Sequence, residues 1–369
     1  MKAAIVTLPL NHNYGGILQA WALQRTLKNL GIESELLQPN KFRSLSLGEK
    51  FCKYPMRAYR KFILHRHVDI HVEETLNNAQ RKYFNRDKNV KPFIESRINR
   101  RLFNRLKEIR RGEYDLIVIG SDQIWRPRYS VAFDVDIKNS FGWFARKWRK
   151  PIISYAASFG LDSLKEFQPE VRSKATLMLN KFACVTVREN DGVRLCRELG
   201  ADATQVVDPT LLVSKEEYLA LISPDIESRK GIMTYVLDET PLSNDIIEKI
   251  KATTKFGTFS TLQADGSQVP PLEEWLAGFR DAELVVTDSF HACVFSIIFG
   301  KPFIVTGNEF RGNSRIRSLL QLFGLEHHYV TDPVSFEGID KFRYDMQQID
   351  AIIEREKQVG LNFLRKHTQ

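Results

Sequence analysis

The chain has 369 residues, 43% of them hydrophobic and 27% charged, with a formal net charge of +9. That balance excludes a disordered polyelectrolyte and a collagen-like repeat, and no apolar run reaches the roughly 20 residues a membrane span needs. At roughly 150 residues per domain, the length points to two domains. The four cysteines, at 52, 184, 196 and 293, show no CxxC spacing and form no zinc-type Cys/His cluster. Reduced thiols, a cytoplasmic location and no metal or other cofactor are therefore expected. The charge is uneven: residues 41–111 carry 20 Lys and Arg against 7 Asp and Glu, and the rest of the chain is slightly acidic.

Residues 3–8 form an apolar run too short for a signal peptide, and they read as a strand. Apolar side chains at 17, 18, 22, 23, 27 and 30 then follow the period of a helix, which Gly31 closes. Residues 34–37 make a second strand, the opening of a doubly wound parallel sheet. The basic stretch 41–111 breaks this rhythm and reads as a helical insertion. Residues 114–120 (YDLIVIG) restore it, apolar throughout like a strand buried on both faces. Further strands are expected at 152–157, 184–188 and 206–207, with helices at 169–181 and 191–199. A second unit follows: strands at 231–237, 258–262, 284–287 and 303–306, and helices at 244–253, 272–279, 292–299 and 315–323, the last closed by Gly324. A final helix is expected at 349–364. The fold class predicted is α/β, with two Rossmann-like domains and a cleft between them. Residues 1–215 form the first, carrying the 41–111 insertion; residues 216–369 form the second, including the C-terminal helix.

Ligands of open parallel sheets bind beyond the carboxyl ends of the strands, so the loops after each predicted strand are the candidates. Asn11 to Gly16 places two glycines at a helix start, where backbone N–H groups can face an anion or a sugar oxygen; a plain tight turn is the alternative. This is not GxGxxG, and no acidic residue closes the second strand, which argues against NAD. In Gly120-Ser121-Asp122-Gln123-Ile124-Trp125, Asp122 can accept a proton from a sugar hydroxyl and Trp125 can stack on a sugar face. Alternatively, Asp122 caps a helix and Trp125 is core. Arg188 ends a strand, where burial without an anion is costly and its planar fork suits a carboxylate or phosphate; a salt bridge to Glu189 or a neighbouring acid is the other option. His291 opens an apolar helix, a place to bind an anion or carry a proton, although a lone histidine is more commonly structural. Arg311, Gly312, Asn313 and Arg315 follow a strand as a phosphate clamp or as a solvated loop.

Five motifs, NYGGILQAWAL at 13–23, DLIVIGSDQIW at 115–125, VTVREN at 185–190, VVDPTLL at 206–212 and TDSFHACVFSI at 287–297, resemble the polysaccharide pyruvyl transferase family and occur in its order. The resemblance implies two Rossmann-like domains arranged as in the twin-domain glycosyltransferases, with the acceptor on the first and phosphoenolpyruvate on the second. The implied reaction moves pyruvate from phosphoenolpyruvate onto a hydroxyl pair of a hexose, in a cell-surface polysaccharide or its lipid-linked precursor, as a ketal with release of phosphate. By position, Arg188 matches the family's phosphoenolpyruvate-binding arginine, His291 its central histidine and Asp122 a functional acid. Ser289 stands where some members have an arginine, and Arg311 or Arg315 can replace that charge. The expected site thus has His291 and Asp122 as catalytic groups. Phosphoenolpyruvate is expected on Arg188, Ser289, Arg311, Asn313 and Arg315. The acceptor is expected against Tyr14, Gly15, Gly16, Gln19 and Trp125.

The resemblance leaves the basic 41–111 stretch unexplained. It is expected to meet anionic lipid at the inner membrane face, with a solvated helical face as the plainer reading. No nucleic-acid module is recognised. Two rivals remain: a nucleotide-sugar glycosyltransferase of the same plan, with Glu309 holding the ribose, and a non-catalytic sugar-binding protein, to which Ser289 lends some footing.

Overall fold

In a computed structural model, residues 1–40, 45, 47–65, 70–71, 74, 86–132, 136–262, 268–308, 311–333 and 336–368 are described. Glu309 and most of the basic residues between 66 and 85 fall outside them. The first sheet contains β1 (Lys2–Val6), β2 (Glu33–Pro39), β3 (Arg100–Phe103), β4 (Leu116–Ile119) and β5 (Ile152–Ser154), all parallel in the order β3-β2-β1-β4-β5. Its central strands are buried on both faces, with Ala3, Ala4, Ile5 and Leu116 to Ile119 fully enclosed, as a parallel sheet covered by crossover helices requires. A short pair, β6 (Thr186–Val187) and β7 (Thr204–Gln205), continues the layer through single bridges from Ile153 to Cys184 and from Ala157 to Val187.

The second sheet is also parallel. It holds β8 (Ile232–Tyr235), β9 (Thr258–Ser260), β10 (Leu284–Thr287), β11 (Phe303–Thr306) and β12 (Tyr329–Val330), in the order β12-β11-β10-β8-β9. The molecule is thus α/β with two Rossmann-like lobes. One hydrophobic core joins them, running from Ile17 and Leu23 through Leu211 to Trp275 and Phe295. The helix Tyr14–Asn29 is the pivot of that core. Tyr14 stacks on Trp275 of the second lobe at 5.3 Å between ring centroids, and Trp21 meets Tyr218 at 5.5 Å.

Three sequence expectations change. The 41–111 stretch is not all helical insertion: Lys91–Arg97 is a short helix that buries Phe93 and Ile94, and Arg100–Phe103 is the edge strand of the first sheet. Two consecutive arginines disguise this strand, yet charge suits an exposed edge. The strand expected at 206–207 lies at 204–205, because Val206 and Val207 turn inward as core after the pair ends. The last helix, Met346–Thr368, does not belong to the second lobe alone. It starts with Met346 against Gly300 and ends with Phe363 beside Tyr155 of the first lobe, 6.2 Å between centroids.

Candidate active site

The carboxyl ends of β4, β6 and β7 in the first lobe face those of β8, β10 and β11 in the second. Arg188 directly follows β6, and its side chain is 1% exposed. Its Nη1 donates to Asp208 Oδ2 at 2.6 Å, Nη2 lies 3.4 Å from Asp122 Oδ1, and Nε lies 4.0 Å from Glu189 Oε2. Asp208 sits just past β7 at the start of a tight turn, Pro209–Leu212. Its Oδ1 accepts from the amide and hydroxyl of Thr210 at 3.0 and 2.8 Å, and its Oδ2 also accepts from Ser121 Oγ at 3.1 Å. Burial alone would push the Asp208 carboxyl up, but His291 and Arg188 beside it hold it well below the usual carboxylate range. Glu189 goes the other way: burial raises it despite Arg188, while its Oε1 accepts from Ser158 Oγ and from the amide of Phe159.

The second lobe meets this cluster through the helix Phe290–Phe299. His291 lies in its first turn, 6% exposed, with Nε2 3.7 Å from Asp208 Oδ2. The other face of the ring is pressed against Gly15. A Cβ at that position would lie 2.0 Å from His291 Nδ1, so only glycine lets the first-lobe helix start this close to the imidazole. The ring of Phe290 carries two guanidiniums, Arg188 at 4.2 Å and Arg315 at 5.6 Å from its centroid, a cation–π arrangement. Arg315 is buried, and burial together with the like charge of Arg188 lowers it to about 10. Its Nη2 donates to the carbonyl oxygen of Arg311 at 3.0 Å, and its Nε has no hydrogen-bond partner among the described residues.

A second network organises the facing loops. Asp288, after β10, accepts from the amides of Leu237 and Asp238 at 2.7 and 3.0 Å and from Asn308 Nδ2 at 2.7 Å. Arg311 grips Asp238 through Nε at 2.6 Å and Nη2 at 3.1 Å. Among its described residues, the loop meets the first lobe at Arg126 and Gly160. Arg126 Nη1 donates to the Arg311 carbonyl at 3.1 Å, and Gly312, at φ +88°, lies so close that a Cβ would stand 1.8 Å from Gly160 O.

The residues singled out from sequence therefore divide. Asp122, Arg188, His291, Arg315 and Gly15 come together, with Ser289 beside them as the N-cap of the His291 helix. Arg311 and Asn313 shape the loop: Arg311 is neutralised by Asp238, and Asn313 Oδ1 accepts from the Asn308 amide at 2.7 Å. Trp125 is corrected from sugar platform to core. It is fully buried, stacks on Phe141 at 5.0 Å, and spends its Nε1 hydrogen on Ser140 O. Tyr14 is likewise enclosed, its hydroxyl donating to Pro270 O at 2.7 Å. Gln19 braces the site from behind by accepting from the Ser121 amide and donating to the carbonyl oxygen of Gly16. Asp208 and Arg126 join these contacts, although the sequence reading assigns neither a role. Asp208 carried a signal, since an acid right after a buried Val-Val pair obeys the logic that singles out Asp122.

Comparison with known proteins bears on the family. Among curated proteins, none matches the chain. The UDP-GlcNAc 2-epimerase of Methanocaldococcus jannaschii, in complex with UDP-GlcNAc and UDP, is similar over 100% of this chain and 99% of its own, at 13% identity and a TM-score of 0.49. The UDP-GlcNAc 2-epimerase of Neisseria meningitidis is similar over 97% and 100%, at 13% identity and 0.45. A heptosyltransferase of Escherichia coli is similar over 83% and 88%, at 14% identity and 0.36. A family model described as polysaccharide pyruvyl transferase matches residues 13–309, a span that takes in the helix start at Gly15, the Arg188 and Asp208 turns and the His291 helix. The chain belongs to the polysaccharide pyruvyl transferase family and is a transferase of polysaccharide biosynthesis.

Proposed function

We propose that the protein transfers the three-carbon unit of phosphoenolpyruvate to two hydroxyls of one hexose in a glycan, making a pyruvate ketal and releasing inorganic phosphate. The observation that carries this reading is the buried pair Arg188 and Arg315 on the ring of Phe290, next to His291, between the two lobes. The two cations differ in use. Among the described residues both keep an Nε without a hydrogen-bond partner, but Arg188 is surrounded by three carboxyls while no ion pair holds Arg315, which makes Arg315 the group suited to a carboxylate or phosphate oxygen.

In this reading His291 Nε2 gives a proton to the methylene carbon of the enol, which becomes the methyl group. Asp208 stabilises the protonated imidazole before transfer. Carbon 2, now electron-poor, takes the first sugar oxygen, whose proton passes to Asp122. The bond from carbon 2 to the phosphate oxygen then breaks, phosphate leaves with the electron pair and takes the proton held by Asp122, and the second hydroxyl closes the ring as its proton passes to the now neutral His291. A positioned acid or base of this kind supplies about 10²–10⁴-fold.

The test is phosphate release from phosphoenolpyruvate against a panel of lipid-linked and nucleotide-linked hexoses, with the ketal methyl followed by NMR. Arg315→Met is expected to raise KM for phosphoenolpyruvate roughly 10- to 150-fold, the equivalent of one charge-assisted hydrogen bond of ~1.5–3 kcal/mol. Consumption of a nucleotide sugar, with phosphoenolpyruvate inert against every acceptor, would overturn the reading in favour of glycosyl transfer.

A further inference from the structure

The helix Leu47–Phe62 buries none of its residues. Among the described residues Glu49 pairs with Arg105, Arg57 Nη1 donates to Ile70 O at 3.1 Å, and Tyr54 meets His71 edge-on at 4.8 Å between ring centroids. The apolar side faces outward, with Leu47 75%, Phe51 79%, Met56 52%, Tyr59 54% and Phe62 63% exposed, and Ile63 continuing the stripe at 61%. An ordinary surface helix is the reverse, hiding its apolar stripe against the core. At about 3.6 residues per turn, Lys50, Lys53, Arg57, Arg60 and Lys61 gather within an arc of roughly 100°, and the apolar residues fill the other side. Glu49 is the one acid in the helix. No helix among the described residues is long and apolar enough to cross a membrane.

We infer that this helix lies flat in the interface of an anionic bilayer, with Phe51 and Phe62 in the acyl boundary and Lys50, Arg60 and Lys61 at the level of the headgroups. Strong segregation of an aromatic face from a Lys/Arg face, without enough apolar length to span, is the pattern of an interfacial helix. The cationic fringe selects the occupant. The headgroups of anionic lipid complement Lys50, Arg60 and Lys61, whereas the same face of a second copy brings only like charge. Docking would hold the cleft near a membrane-bound acceptor, but the surface itself stands independently of the proposed reaction.

The experiment is flotation of the full-length protein with phosphatidylcholine vesicles, with and without phosphatidylglycerol. Binding is expected only to the anionic vesicles and should weaken as salt screens the charge. Replacing both Phe51 and Phe62 by Ser should lower partitioning at least tenfold while leaving the thermal melt unchanged. Each of Lys50→Gln, Arg60→Gln and Lys61→Gln should lower it roughly fivefold. Equal binding to neutral vesicles, or no binding to either, overturns the inference. So does a concentration-dependent dimer that the double Ser variant abolishes, which would assign the face to a second copy. None of these readouts requires phosphoenolpyruvate or a glycan, so they succeed or fail apart from the reaction.

Discussion

Each lobe places an arginine among acids beyond its strand ends, yet the two arrangements do different work. In the first lobe Arg188 is sealed from water and held by Asp208, Asp122 and Glu189. In the second, Arg311 grips Asp238 with side chains 32% and 41% exposed. In near-water dielectric such a pair is worth little, while in the interior the same charges are strongly coupled. Burial, not residue type, makes one cluster the electrostatic centre of the cleft and the other a loop fastener. The buried histidines differ similarly: His291 faces Asp208, whereas His328 rests on Phe303 and donates its Nδ1 hydrogen to the Phe303 carbonyl oxygen at 2.8 Å, with no ion pair to an acid among the described residues.

Removing the guanidinium in Arg188→Met should break the contrast most severely. It strands Asp208 and Asp122 in the interior, and a loss of about 3–5 kcal/mol in urea unfolding is expected, together with loss of turnover. His291→Gln should cut transfer by about 10²–10⁴-fold while changing the urea midpoint little; near wild-type turnover would remove His291 from the chemistry. His328 offers a pH test. Burial and His327 lower it from 6.5 to about 4, so between those values the unfolded chain binds the proton and the folded chain does not. Stability should therefore fall as pH drops from 6.5 towards 4, by up to about 3 kcal/mol. Thermal melts of His328→Gln across the same window should lose that component while keeping the carboxylate contribution. Arg311→Met should cost least, about 0.2–1 kcal/mol; a loss as large as that of Arg188→Met would erase the distinction between the two clusters.

Much of the scaffold was open to sequence reasoning because its strands are buried on both faces. β10 and β11 match their apolar runs residue for residue. The first helix starts earlier than periodicity indicates, since Gly15 and Gly16 are poor helix formers by propensity and Gly15 is required by a histidine far along the chain. Periodicity could not tell Trp125 in a core from Trp125 on a cleft wall, because both positions favour an aromatic ring. Nor could it foresee that Asp238, some distance upstream, would claim Arg311. β3 stayed hidden because its arginines satisfy an edge, not a pattern. Charge partners set by tertiary structure are what the linear sequence withholds.

The terminal helix, fastened at one end to Gly300 and at the other to Tyr155, works as a strap across the hinge. With a strap in place, the two lobes can rock only slightly, and breathing of the cleft must come from small tilts rather than wide swings. Cutting the chain before Met346 would remove the strap but leave the shared core around Tyr14 and Trp275, so the strap limits tilting while the core does the joining.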